Sequence, residues 1–286
     1  MSETRRFRWA RRVVLTVLTL FVGLPLYVML TASMQPLADL AKPFRWVPRH
    51  ITLQPWSDTW RAIPLGRYLI NSSIVAGTTA VLSCIVAAPA AYALARFEFR
   101  GRRAARSGVL ATQTLPAMFL LLPTFLLYAQ FGRTTGVRLI GTYPALILID
   151  LTFAVPFSVW LLSAWFSGQP VEPEEAAATD GAGPLAVFCR IAVPGAVPAM
   201  AAVVVFTFGL SWSEVLFASV LTDARTQTVA VGLPGLTGSP TPLWNDLMAA
   251  SLISAAPVVI AWLVTAPVLR KALNVGDSRV KSIRPK

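Results

Sequence analysis

Gly168-Gln169-Pro170-Val171-Glu172-Pro173-Glu174-Glu175-Ala176-Ala177-Ala178-Thr179-Asp180-Gly181-Ala182-Gly183-Pro184 joins two long apolar runs. Its local chemistry predicts two short helices around a glycine. Pro173 suits a first helical turn, where its missing N–H leaves nothing unpaired. Glu174 and Glu175 fall in that turn, favoured by the helix dipole. Ala176 to Ala178 propagate a helix well, and Gly181 supplies a left-handed stop. Pro184 starts the second helix, and Pro194 marks the start of the next apolar run. By itself this is a capped surface helix between two apolar segments. A short helix with small side chains and two carboxylates also suits docking into a partner's groove.

Outward from this stretch the chain reads as a series of apolar runs: Val13–Met34, Tyr68–Ala95, Ser107–Phe131, Leu139–Trp165, Gly195–Leu221 and Leu247–Leu269. Each has the roughly 20 residues needed to cross a bilayer as a helix, and a soluble core helix of that length would show a polar stripe. An all-α membrane protein with six transmembrane helices is expected, spanning residues 13–269 with tails at 1–12 and 270–286. Prolines interrupt the runs at Pro25, Pro89, Pro116, Pro123, Pro144, Pro156 and Pro257. Inside a bundle, neighbouring helices can satisfy the carbonyls that these residues free. Small residues such as Ala87-Ala88-Pro89-Ala90-Ala91 allow close helix approach. The first run, longer than a signal-peptide core, reads as an uncleaved helix.

Charge fixes the expected orientation. Segments 1–12, 96–106, 166–194 and 270–286 carry seventeen Lys and Arg against eight in 35–67, 132–138 and 222–246. The positive side faces the cytoplasm, which places both termini and segment 166–194 there. The net charge of +12 sits in short clusters between apolar runs, which argues against a nucleic-acid-binding face. With 13% charged residues against 55% hydrophobic, the composition is not that of a soluble domain. Cys84 and Cys189 suggest no disulfide framework, and the single His50 suggests no His-based metal site.

Two acids lie within apolar runs, Asp150 and Glu214. Charge at bilayer depth is costly, so such residues face a bundle interior, a partner or a wet path. Both are candidates for a solute pathway, with Trp212 as a stacking surface for a sugar ring. Asn71 is a further candidate, although an amide at the start of a span also suits a bond between helices.

Glu175-Ala176-Ala177, then Gly181, then Ile191 and Pro194 resembles the EAA loop of ABC importer permeases, with Val193 where that family usually has Leu. Pro170, Glu172 and Asp180-Gly181-Ala182 look like the carbohydrate-uptake branch. So do Asn71-Ser72, Ala91-Tyr92-Ala93-Leu94-Ala95-Arg96-Phe97 followed by Gly101, Leu115-Pro116, and Trp212-Ser213-Glu214. The six-span layout is similar to the maltose-type second permease. The resemblance implies a type I ABC importer permease fold. It implies that Glu174, Glu175, Ala176, Ala177, Asp180, Gly181, Ile191 and Pro194 form a coupling surface for a cytoplasmic ATPase, with Glu175 meeting a basic residue there. It also implies a second permease subunit, two ATPase subunits that hold ATP and Mg, and an extracytoplasmic solute-binding protein. This chain has no Gly-x-x-x-x-Gly-Lys-Ser/Thr phosphate loop and no cofactor of its own is expected. A non-sugar cargo or a secondary transporter are the alternative readings. An intramembrane enzyme finds no support in the residues.

Overall fold

The structure is a computed structural model that describes residues 5–238 and 241–282. The described chain is α-helical. In order it forms α1 (Arg5–Ser33), α2 (Leu37–Leu40), α3 (Gln54–Ala62), α4 (Leu65–Arg96), α5 (Arg102–Thr112), α6 (Ala117–Thr135) and α7 (Tyr143–Ser167). It continues with α8 (Glu172–Thr179), α9 (Pro184–Val187), a π turn (Phe188–Ala192), α10 (Val193–Trp212), α11 (Leu216–Leu221), α12 (Val229–Gly232), a 3-10 turn (Leu233–Leu236) and α13 (Trp244–Ser282).

Among the described residues, five helical stretches are long and apolar enough to cross a membrane: Arg5–Ser33, Leu65–Arg96, Tyr143–Ser167, Pro184–Trp212 and Trp244–Arg270. The third expected run, Ser107–Phe131, is not one helix. It breaks between Thr112 and Ala117. Pro116 takes an extended backbone (ψ 128°) as the N-cap of α6, and the residue before a proline is driven out of the helical region. Thr112 and Thr114 hydroxyls also bond back to Val109 and Ala111 carbonyls, closing α5. The 19 residues of α6 give about 28 Å of helix, close to the roughly 30 Å of hydrocarbon. The fifth expected run is also broken, after Trp212. There Ser213 bonds back to Gly209 and Leu210 carbonyls and the chain restarts as α11.

The chain forms two compact units, each held by its own contacts. The smaller comprises residues up to Gly66 together with Gly232–Ala256. Within it the Thr59 hydroxyl donates to the Asp246 carbonyl at 3.0 Å, tying α3 to the start of α13. Asp39, its side chain almost fully covered, takes Lys42 at 2.6 Å and the His50 ring at 2.7 Å. The Lys42 ammonium first, and then His50, hold the Asp39 carboxyl below its ordinary value.

The larger unit comprises Arg67–Val231 and the chain from Pro257. Its core has two clusters. In one, Ala87, Ala88 and Ala91 of α4 pack with Leu162 and Phe166 of α7 and Ala196 and Ala199 of α10. Alanines at these contacts let the helix backbones approach closely, which is how spans associate without a hydrophobic drive between them. In the other, Val75, Tyr128, Leu146 and Ile149 pack against Phe217 and Leu221 of α11. The second short helix expected after Gly181 is instead the beginning of a long one. Pro184 opens it, and the chain passes through the π turn, where the Val193 N–H reaches the Phe188 carbonyl, directly into α10.

Candidate functional site

The acidic stretch that follows α7 folds as α8 with all three of its glutamates in the first turn and Pro173 beside its start. Its end is a Schellman motif. Gly181 sits at φ +90°, its N–H meets the Ala178 carbonyl at 3.1 Å, and the Ala182 N–H meets the Ala177 carbonyl at 3.0 Å. These two bonds satisfy carbonyls that a helix end otherwise leaves open, and the left-handed residue they require is best supplied by glycine. Gly183 and Pro184 then start α9.

The three glutamates do different things. Glu174 turns inward. Its Oε1 receives Arg96 at 2.9 Å, the Arg96 Nε lies 3.1 and 3.2 Å from its two oxygens, and the Tyr92 hydroxyl donates to Oε2 at 2.8 Å. Arg96 also donates to the Gln169 carbonyl at 3.3 Å. The two charged side chains are only 11% and 13% exposed, so this pair is largely screened from water. Tyr92 packs edge-to-face with Phe166 at 5.5 Å and against the tilted ring of Phe188 at 5.0 Å between ring centroids. Glu174, expected to face a partner, is therefore engaged within the chain, because Arg96 closes α4 within its reach. Glu175 is exposed and makes no ion pair among the described residues. Ala176 and Asp180 are exposed, Ala177 and Ile191 are half-buried, and Pro194 is exposed at the start of α10.

A second feature lies among α4, α6, α7 and α10. A cavity of about 390 Å³ is lined by Thr79, Gln113, Asp150, Phe153, Phe157, Phe206, Thr207, Ser211, Glu214 and Phe217, among others. The buried Asp150 accepts a short hydrogen bond from the Ser211 hydroxyl. Glu214 accepts from the Phe217 and Ala218 N–H groups, both at 2.8 Å, and so caps α11. Phe157 and Phe206 stack with centroids 4.1 Å apart.

Residues 84–273 match the family described as "Binding-protein-dependent transport system inner membrane component". The chain belongs to this family. It is a multi-pass permease of the inner membrane, the membrane component of an ABC importer rather than its ATPase. It is 32% identical over 267 residues to the diacetylchitobiose uptake permease NgcG of Streptomyces coelicolor, covering 92% of this chain and 86% of that one. It is 30% identical over 270 residues to the trehalose transport permease SugB of Mycobacterium tuberculosis, covering 92% and 94%. The permease YcjP of Escherichia coli is 31% identical, with 91% of each chain covered. The fold is that of a chain in a bacterial ABC transporter involved in import of the acidic polysaccharide alginate, with TM-score 0.75, 21% identity, and 93% and 98% of the two chains covered.

The permease brings Asp150 and Glu214 to one cavity and leaves the other two pathway candidates outside it. Trp212 is buried and stacks on Phe208 at 5.4 Å. Asn71 donates to the Arg225 and Gln227 carbonyls at 2.9 and 2.8 Å and accepts from the Tyr143 hydroxyl at 2.7 Å. Its amide braces the segment after α11 against α4 and α7, the interhelical use weighed for it. The residues that sequence reasoning missed are Arg96 with Tyr92, and the phenylalanines of the cavity. An Arg closing an apolar run opposite an acidic loop was a readable signal for the first. No signal separates Phe157 and Phe206 from any other phenylalanine of a span.

Proposed function

We propose that this permease imports a sugar or short oligosaccharide and that α8 is its coupling helix, docking on a cytoplasmic ATPase through Glu175. In this reading the termini and segment 166–194 are cytoplasmic, a second permease completes the pathway, two ATPase subunits bind ATP and Mg, and an extracytoplasmic binding protein delivers the solute. Closure of the ATPases moves α8, and the membrane helices follow between inward- and outward-facing states, a two-state element biased from a distance.

One observation carries the coupling assignment: the division of labour between adjacent acids. Glu174 is tied to Arg96 at the end of a membrane helix, while Glu175 on the same turn is open to a partner. A helix held on one side and presenting a carboxylate on the other is built to pass force from a docked protein to α4. The sugar assignment is supported by relatives whose names include diacetylchitobiose, trehalose, melibiose and alpha-glucoside uptake. Asp150 and Glu214 are the groups of this chain placed to meet the solute.

The test is Glu175→Lys in the assembled transporter. Losing one side of an interfacial charge pair costs about 2–5 kcal/mol, so the variant inserts in the membrane while recovering little ATPase and importing little solute. Normal uptake by this variant would overturn the coupling assignment.

A further inference from the structure

We propose that the cavity beside Asp150 is a binding site for an uncharged glycoside and that Asp150 and Glu214 make it reject uronates and sugar phosphates. The inference rests on the reading of the chain as a sugar permease and adds the charge class of its solute.

The size suits the role, since ligand cavities of about 300–1,000 Å³ bury small organic ligands and this one holds about 390 Å³. The polar groups around it are incomplete. The Thr79 hydroxyl is fully buried and has no hydrogen-bond partner. Buried hydroxyls are rarely left in that state, and because this one belongs to a residue lining the cavity, a small shift of its side chain lets a sugar hydroxyl supply what is missing. One Asp150 carboxylate oxygen accepts from the Ser211 hydroxyl, while the other has no partner among the described residues and is open to a donor from the solute. Glu214 is held at the edge by two backbone N–H groups. The stacked pair Phe157 and Phe206 presents an apolar wall of the kind that packs against the C–H face of a pyranose. A hydroxyl-rich ligand with one apolar face satisfies all of these groups together.

The charge preference follows from what lines the space. Among the described lining residues there are two acids and no Lys, Arg or His. A uronate carboxylate or a phosphate would lose its water here and gain no counter-charge, which leaves an uncompensated buried anion. Leaving a competitor's charge without a partner is an effective way to reject it. The same fold occurs in a transporter of the acidic polysaccharide alginate, so the fold does not set this preference and the lining residues do.

The experiment uses the complete transporter in proteoliposomes, with Leu210→Cys placed in a Cys84→Ala, Cys189→Ser background. The rate of labelling by N-ethylmaleimide is measured with trehalose, melibiose or digalacturonate present. The expected result is that at least one neutral disaccharide slows labelling about tenfold more than digalacturonate does, the ratio given by about 1.4 kcal/mol. Asp150→Asn with Glu214→Gln then narrows the gap. Equal protection by digalacturonate overturns the proposal, as does no protection by either neutral sugar while ATP-driven sugar uptake persists. If Leu210→Cys does not assemble, Ala117→Cys on another wall gives the same readout. Absence of ATP-driven sugar uptake by the unmodified transporter is a different failure, and it counts against the permease's assignment to sugars.

Discussion

Arg96 and Glu174 stand 78 residues apart in the chain, yet the guanidinium and carboxylate meet at 2.9 Å. The pair fastens the first turn of α8 to the end of α4. Removing one member leaves the other poorly solvated and unpaired. Arg96→Ala is expected to lower stability by about 2–3 kcal/mol, somewhat less than the 3–5 of a fully buried pair. Glu174→Gln, which keeps an acceptor for Tyr92, is expected to cost less. Both should raise the ATP consumed per solute imported, because α8 then moves without drawing α4 along. Thermal unfolding and the ATP-to-solute ratio of reconstituted transporter check the two effects separately. An unchanged ratio in Arg96→Ala would remove the pair from the coupling path.

Gly181 holds the Schellman end of α8 at φ +90°, with nothing within 4 Å of where a Cβ would stand. Substitution therefore costs conformation rather than space. Gly181→Ala is expected to fold with a loss of about 1–2 kcal/mol, the penalty for an L-residue in the left-handed region. Measured by ATPase co-purification, assembly should weaken modestly and recover at lower temperature. Full loss at every temperature would mean that the glycine is in direct contact with the partner.

Asn71→Leu leaves the Arg225 and Gln227 carbonyls and the Tyr143 hydroxyl without their present partner. Arg225 is exposed while Gln227 and Tyr143 are half-buried, so the cost falls at or below the low end of the about 1–3 kcal/mol for a buried group left unsatisfied, and the segment 222–228 should loosen. Limited proteolysis of the intact protein reads this directly, with faster cleavage after Arg225 as the expected outcome. A solute-contact role for Asn71 would instead leave cleavage unchanged and alter transport alone.

Asp39 offers a pH test in the segment after α1. Its carboxyl is held below the ordinary 3.8 by Lys42 and His50. A depressed folded-state value means that the stabilisation is present above the ordinary value and is lost as pH falls through the depressed one. Proteolysis of segment 35–53 should therefore stay slow at and above pH about 4. It should accelerate in stronger acid. Asp39→Asn is expected to remove the acid-dependent part and to loosen the segment at neutral pH.

The parts of this protein visible in its sequence are those set by near neighbours. The turn at Gly181 could be read because proline, acids, alanines and glycine act within one helical turn of each other. The apolar runs could be read because a bilayer demands about 20 residues of one character. The breaks at Pro116 and Ser213 could not, because prolines and hydroxyls are common inside spans and composition does not tell a kink from a stop. The bond of Glu174 to Arg96 needed three-dimensional proximity. The cavity needed it as well: Trp212 was the aromatic candidate for a sugar platform, yet it is buried away from the cavity, which Phe157 and Phe206 line instead.

The π turn between α9 and α10 explains a spacing that an ordinary helix does not allow. From Val187 to Ser211 the buried positions along this helix are Val187, Ala192, Ala196, Ala199, Val203, Thr207 and Ser211, with a first step of five residues and later steps of three or four. One surplus residue in the ladder, carried by the Val193 to Phe188 bond, keeps Val187 in line with the stripe that follows. An α-helix of the same sequence would swing everything before Phe188 about 100° around the axis. Deleting one residue at Cys189 would let an ordinary α-helix keep the same alignment. The bearing of α8 thus depends on this wide turn absorbing its surplus residue.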